Sequence, residues 1–331
     1  MARGFHTSSA GAPQPGDVID FSGAMVKLNI DGSVDVITAL MDHGGGTLEA
    51  VAKLVGEALA VPFHKVDVSP VGTRDTVYDC VTHATRGVYA GGGAALKAAR
   101  SVRREILETA GRYLNVMPAG LEITYDPDVD QSVVYAPAIP ERRMTLEELA
   151  TRCWSESWKT IAAVESYRPT NCPPAYVAVF VEVEVDTWTG KVRTLKAVLG
   201  SDCGTVINPA MAKGQLEGGL VKGAGYALLE GCSWDDSGQL LSRGYPLDAK
   251  IPGFAESPPI GQIETFFAET YEPTGPFGAK GIGEAAMNPV AAAYANAIAD
   301  AIGIRFYAVS YTHLRAHETP EHLVCRLLLE K

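Results

Sequence analysis

One carboxylate is set apart by its surroundings. In the stretch GPFGAKGIGEAAMNP, residues 275–289, four glycines and Lys280 lead up to Glu284, and an alanine-rich apolar run follows it. A carboxylate in that setting has two uses. Kept from water it is a general base, because desolvation disfavours the charged form and raises its affinity for a proton. At the start of the helix that the alanine run predicts, it is instead a partner for that helix's positive end. The glycines decide between neither. They leave backbone N–H groups uncovered, as close approach to an anionic group requires.

Other clusters carry related signals. His43-Gly44-Gly45-Gly46 matches the oxyanion loop of lipases, but the chain holds no GxSxG nucleophile elbow, which excludes a serine hydrolase of that type. Gly278, Gly281 and Gly283 give a GxxGxG run. It follows a proline-containing bend rather than a core strand, and no acidic residue closes a second βαβ strand, so a Rossmann unit is not expected. What these loops share is room for backbone N–H groups to face a phosphate, a pterin or a metal-oxo group without side-chain bulk. Gln215, within INPAMAKGQLEGGLVKGAGYALLEG, adds an amide that both donates and accepts, as a ligand contact requires; a buried helix glutamine reads the same way. Lys280 reads equally as a phosphate partner or a solvated cation, and Asp42 as a turn residue.

The elements that must position these residues follow from periodicity. MVKLNI-DG-SVDVITAL alternates apolar and polar residues on both sides of Asp31-Gly32, which predicts two antiparallel strands joined by a two-residue turn. LEAVAKLVGEALAV, residues 48–61, spaces its apolar positions three and four apart and predicts a helix. KVDVSPV returns to a strand, and Gly91-Gly92-Gly93 steps into a second helix, AALKAARSVRREILETAGRYL. Residues 121–174 are rich in proline and read as connecting structure, with one helix, MTLEELATRCW, whose Thr145 and Glu148 fit a capping box. AYVAVFVEVEVDTWTGKVRTLKAVLG gives two long strands around Thr189-Gly190, and the Gln215 segment a helix after them. A hairpin followed by a helix, twice over, predicts an α+β fold of two similar lobes, residues 1–120 and 175–308, the second closed by the Glu284 loop.

Composition bounds the rest. With 331 residues, 47% hydrophobic and 20% charged, the chain is globular and long enough for two domain-sized cores. A net charge of −11, with no basic run interleaved with aromatics, argues against a nucleic-acid partner. The N-terminus lacks the apolar core of a signal peptide and no window approaches a membrane span, so a cytoplasmic chain without a membrane partner is expected. Cys80, Cys153, Cys172, Cys203, Cys232 and Cys325 form no CxxC pair, and reduced thiols are expected. The tail places His313, His317, His322 and Cys325 close together, and histidines four apart share a helical face, as a metal site would need. VSYTHLRAHET and LVCRLLLEK nevertheless resemble translated ends of a sequencing adapter. Residues 309–331 are therefore read as non-biological, and since their acidic and basic side chains balance, the charge argument stands without them.

GPFGAKGIGEAAMNP resembles the C-terminal signature of the molybdenum hydroxylases, the family of xanthine dehydrogenase and aldehyde oxidase. DTVYDCVTHATRGVYAGGGAALKAA is similar to that family's cofactor-binding loop and helix, the Gln215 segment to its glutamine-bearing segment, and the first hairpin with HGGGT to its first glycine-rich loop. Together these cover residues 17–308. The resemblance implies the C-terminal half of a large molybdopterin-binding subunit, with the first half of that subunit upstream as a missing partner. It implies that Glu284 is the catalytic base and that Gln215 hydrogen-bonds the cofactor. Ala84 and Thr85 would form the second loop; Gly278, Ala279, Lys280 and Gly281 would supply backbone near the metal. In the first loop, Gly44, Gly45 and Gly46 depart from the family's G-Q-G, because Gly45 stands where a cofactor-binding glutamine is expected. Either backbone N–H groups and water replace that amide, or the lobe holds the cofactor more weakly.

The implied cofactor is molybdenum with molybdopterin, in its plain or cytosine dinucleotide form. A [2Fe-2S] cluster and FAD would sit on iron–sulfur and flavin subunits rather than on this chain. The implied reaction hydroxylates an aldehyde, N-heterocycle or aromatic small-molecule substrate with oxygen from water. The competing reading is a truncated or degenerate homologue that serves as an interaction module, with Gly45 in its favour. Metal content of a full-length, partner-bound preparation separates the two.

Overall fold

In the computed structural model, which describes residues 1–10, 20–69, 72, 74–231, 234–240 and 249–305, two four-stranded sheets share one topology. The chain opens with β1 (Ala2–Thr7) and builds β2 (Ser22–Leu28), β3 (Val34–Thr38), α1 (Thr47–Leu59), β4 (Val66–Ser69) and α2 (Gly92–Leu114). It continues through β5 (Glu122–Asp126), β6 (Gln131–Ala136), β7 (Ile139–Thr145), α3 (Leu146–Ser157) and β8 (Ala162–Tyr167). The second lobe follows with β9 (Pro174–Val185), β10 (Val192–Asp202), α4 (Pro209–Leu228), β11 (Ile263–Phe267) and α5 (Val290–Ile302).

The sheet orders are β4-β3-β2-β8 and β11-β10-β9-β1. In each, a hairpin pairs antiparallel, a later strand adds parallel to the hairpin's second strand, and a fourth adds antiparallel to its first. Each hairpin leads into one helix, and each parallel strand into another. The two lobes expected from the sequence are thus similar in strand order and direction.

The physical cause is alternation against a helical stripe. Val34 and Val36 of β3 and Ala24 and Val26 of β2 turn inward onto Val51, Val55 and Leu59 of α1 and the alanines 94, 95, 98 and 99 of α2, all buried. Small alanine side chains let α2 lie close on the sheet. Ala175, Val177 and Val179 of β9 do the same against Leu216 and Leu220 of α4 and Val290 and Tyr294 of α5. The Tyr294 hydroxyl shares a 2.6 Å hydrogen bond with Thr194 Oγ1, which satisfies the buried phenol.

Three expectations change. Strand β1 pairs with β9, His6 lying opposite Ala175, so the first residues of the chain belong to the second lobe. Residues 121–174 are not a linker between lobes. Leu121, Ile123, Val134, Leu146, Leu149 and Ile161 share one core with α1 and α2, because the three-stranded sheet β5-β6-β7 and α3 each bury an apolar face there. The capping box on α3 forms as expected, Thr145 Oγ1 accepting from the Glu148 N–H at 3.0 Å and Glu148 Oε2 from the Thr145 N–H at 2.9 Å. Finally, the β2–β3 turn has three loop residues rather than two. Asn29 N–H donates to Ser33 O (2.8 Å), Gly32 N–H donates to Asn29 O (3.1 Å), and Gly32 takes φ +80°. Asp31 Oδ1 accepts from the Ser33 N–H and hydroxyl, which selects the longer turn.

No helix among the described residues is long and apolar enough to cross a membrane. Cys80, Cys153, Cys172 and Cys203 are free thiols, and burial pushes that of Cys203 up to about 11. Cys232, Cys325 and the tail from residue 309, with its metal reading, lie outside the described residues.

Candidate functional site

The shared topology places equivalent loops at one boundary. In each lobe the parallel strand runs into a loop that ends at the second helix: β4 leads to Ala84 and Thr85 before α2, β11 to residues 275–284 before α5. These two loops touch. Thr85 Oγ1 donates to Glu284 Oε2 at 3.0 Å and accepts from the Glu284 N–H at 3.3 Å. Gly281 lies against the Thr85 backbone so closely that a Cβ there would stand 2.1 Å from the Thr85 carbonyl oxygen, and its N–H donates to Ser8 Oγ at 3.1 Å.

Ala84 and Thr85 both adopt left-handed backbone, φ +48° and +54°, which non-glycine residues avoid unless their surroundings hold them there. The neighbouring Arg86 supplies the hold. Fully buried, it donates from Nε to Asp20 Oδ1 (2.7 Å), from Nη1 to Asp79 Oδ1 (2.6 Å) and Val81 O (2.7 Å), and from Nη2 to Ser22 Oγ (2.5 Å). Removing Arg86 would leave Asp20 and Asp79 buried without their cation, so the loop stays pinned beside β2.

The loop of residues 275–281 is pinned as firmly. Lys280 turns away from Glu284: its Nζ lies 2.8 Å from Asp202 Oδ1 and donates to Pro174 O at 3.0 Å, with the side chain only 8% exposed. It is neither a solvated cation nor placed to meet a phosphate at this site. Burial works against the charged form of Asp202, but hydrogen bonds from Lys280, Thr270 and the Gly204 N–H outweigh it and hold the carboxyl below its ordinary value. The Lys280 N–H donates to Cys203 O (2.8 Å), and Gly278 O accepts from the Thr205 and Glu272 N–H groups. Two first-lobe tyrosines clamp the same segment. Tyr89 OH lies 2.7 Å from Thr274 Oγ1, Tyr167 OH donates to Thr274 O at 3.1 Å, and burial pushes the Tyr89 phenol up to about 12.

Glu284 stands six residues before α5 begins, and that helix has no acidic residue in its first turn. It is therefore not the helix's N-terminal carboxylate. Its side chain is 54% exposed, so on this chain the expected dry pocket is open on one side.

A second contact between the lobes joins the first glycine loop to α4. Asp42 Oδ1 accepts from the Gly44 N–H (2.8 Å) and the Gly46 N–H (3.2 Å), a turn residue as expected. A Cβ on Gly45 would meet Gln215 Oε1 at 3.5 Å, and one on Gly283 would meet the same atom at the same distance. The Gln215 amide thus lies beside both glycines, half-buried, with no hydrogen-bond partner among the described residues. Ala279 is buried, its backbone bridged to Gly204. Gly44, at φ +89°, has open space where a side chain would stand.

Thr85, Gly281 and Glu284 therefore converge, as do Gly45, Gly283 and Gln215, while the Lys280 side chain is excluded. Sequence reasoning missed His6. Its Nδ1 lies 3.3 Å from Thr85 Oγ1 and 3.7 Å from Glu284 Oε2, brought there by β1. No motif marks it; only pairing with a strand far along the chain reveals it. Among the described residues no group of three His, Cys, Asp or Glu side chains could hold a metal ion.

Residues 1–258 match the molybdopterin cofactor-binding domain family. The chain is similar to the xanthine dehydrogenase molybdenum-binding subunit of Escherichia coli O157:H7, 29% identical over 305 residues that cover 91% of this chain and 39% of that protein. It is also similar to the nicotine 6-hydroxylase large subunit of Paenarthrobacter nicotinovorans, 29% identical over 91% of this chain and 36% of that one. Among solved structures, quinoline 2-oxidoreductase from Pseudomonas putida 86 superposes with a TM-score of 0.79 at 28% identity, covering 91% of this chain and 39% of its own. A Cu,Mo-CO dehydrogenase superposes at 0.81 and 25% identity, covering 95% and 40%. The chain spans about two-fifths of the length of these relatives.

Proposed function

The chain belongs to the molybdopterin cofactor-binding domain family, and on that premise we propose that it is the base-bearing part of a molybdenum hydroxylase large subunit. The reaction would hydroxylate an aldehyde, N-heterocycle or aromatic substrate with oxygen from water. The observation that carries this reading is the convergence of the two lobes on Glu284, with the partnerless Gln215 amide beside Gly45 and Gly283.

The residues fit an anionic pterin cofactor. A half-buried glutamine amide that meets no protein partner among the described residues is open to a ligand that both accepts and donates, and two adjoining glycines leave it uncovered. Gln215 and the backbone of Gly45 would hold the cofactor from one side, with Gly44 and Gly46, whose N–H groups donate to Asp42, shaping the loop around it. Ala84 and Thr85 would line it from the other, with Gly278, Ala279, Lys280 and Gly281 as the backbone wall behind them, their N–H groups already donated within the chain. When bound, the molybdenum cofactor supplies the two-electron oxidation of the substrate.

The chain's own part is proton transfer. Thr85 donates to Glu284 Oε2 and receives the Glu284 N–H, so both ends of that residue are tied to one hydroxyl and the carboxylate is held in one orientation. Its other oxygen stays available to accept a proton released during hydroxylation. That relatives are named as large subunits or large chains supports partners that carry electrons away, an iron–sulfur subunit and a flavin subunit. We place the assembly in the cytoplasm and leave the pterin as plain or cytosine dinucleotide.

In an enzyme assembled with those partners, Glu284→Gln should keep cofactor content near normal while slowing the reductive half-reaction by about 100-fold or more. Gln215→Ala should instead lose cofactor more than rate. Reduction of Glu284→Gln by substrate at the unsubstituted rate, read by stopped-flow absorbance, would sink the assignment. The alternative, an inactive module, draws on Gly45; an assembled preparation devoid of molybdenum would favour it.

A further inference from the structure

We propose that His6 is a positioning residue that fixes the direction of the Thr85 hydroxyl and thereby keeps Glu284 oriented as a proton acceptor. The inference rests on Glu284 being the base.

His6 reaches the site because β1 pairs with β9, and its side chain is 28% exposed. Its Nδ1 is surrounded by oxygens: Thr7 O at 3.0 Å, Thr85 Oγ1 at 3.3 Å and Glu284 Oε2 at 3.7 Å. A backbone carbonyl and an ionised carboxylate only accept. An unprotonated Nδ1 would therefore set its lone pair against theirs, and the geometry assigns the ring proton to Nδ1.

The tautomer has a consequence for Thr85. A threonine hydroxyl has one proton to give. If Nδ1 were an acceptor, it would compete with Glu284 for that proton, and a hydroxyl turned to the ring would present oxygen lone pairs to Oε2 at 3.0 Å. With Nδ1 protonated the competition disappears. Thr85 accepts from the Glu284 N–H, stands within reach of the ring N–H, and donates to Oε2 alone. The order of donation then runs one way, from the ring N–H, shared between Thr7 O and Thr85 Oγ1, and from the Thr85 hydroxyl to Glu284 Oε2.

Two measurements test this. In the 331-residue chain labelled with ¹⁵N-histidine, long-range ¹H–¹⁵N correlation should show His6 with its proton on Nδ1, the reverse of the preference of free imidazole side chains. In the assembled enzyme, His6→Leu should lower kcat by about 5- to 10-fold with KM little changed, the worth of one hydrogen bond. His6→Asn, whose amide nitrogen falls near Nδ1, should restore most of that loss. An Nε2–H tautomer, or a His6→Asn enzyme no faster than His6→Leu, would overturn the proposal. Should Glu284→Gln prove harmless, the base assignment fails while the tautomer measurement still decides the hydrogen-bond order.

Discussion

The two glycine loops at the site look alike in sequence and are opposites in space. In residues 275–281, a Cβ on Gly275 would stand 1.9 Å from Ala279 O, on Gly278 2.2 Å from the Tyr271 ring, and on Gly281 2.1 Å from Thr85 O. Around residues 43–46, Gly46 is crowded by the Met211 side chain at 2.6 Å, but Gly44 meets nothing within 4 Å and Gly45 nothing nearer than 3.5 Å. One loop lacks side chains because the protein fills that space itself. The other, at Gly44 and Gly45, lacks them where space is left over. The first suits holding a carboxylate in place, the second suits being occupied.

Gly281→Ala should break the first loop most severely, costing about 3 kcal/mol, the upper end for overpacking against backbone that cannot retreat. Chemical denaturation measures it; a cost under about 1 kcal/mol would mean that the contact with Thr85 yields. Lys280→Met comes next, at about 2 kcal/mol, less than a fully buried pair loses because Asp202 keeps some solvent access. This loss has a pH signature. The folded Asp202 carboxyl lies below its ordinary value of 3.8, so its contribution is complete above that value and disappears as pH falls through the depressed folded value. Unfolding of the intact chain should therefore ease more steeply below about pH 4 than unfolding of Lys280→Met. Parallel acid limbs for the two would remove the pair from the account.

Gly45→Ala marks the other extreme. Gly45 does not need left-handed backbone and has room for a methyl group, so stability should change by no more than about 0.5 kcal/mol. If it cost as much as Gly281→Ala, the contrast between the loops would collapse. Gly45→Gln should be similarly silent in stability. In the assembled enzyme it should raise molybdenum retained through dialysis, because it adds an amide beside Gln215.

Local signals were legible and distant pairings were not. Helices α1 and α3 follow their apolar spacing, and the α3 cap is written in Thr145 and Glu148. The glycines before Glu284 single out the loop that meets Thr85, but only the backbone shows how far Glu284 stands from the start of α5. Prolines across residues 121–174 hid four strands, because the burial that defines them comes from α1 and α2. ARGFHT is too short to declare itself as β1, since its partner lies beyond the whole first lobe. His6 was lost for the same reason, and so was the true partner of Lys280, an aspartate on another strand.

That strand also bears on the order of folding. Thr7 lies opposite Pro174, so the chain leaves the second sheet and returns to it at neighbouring points, with the first lobe between them. During synthesis β1 emerges long before its partner and must wait. Closing so long a loop in an unfolded chain carries an entropic cost that grows with the residues enclosed. A first lobe already folded brings its two ends together, and a search over a long disordered span becomes a short docking step. The nascent chain thus has a built-in schedule, in which the lobe made first prepares the edge on which the second is completed.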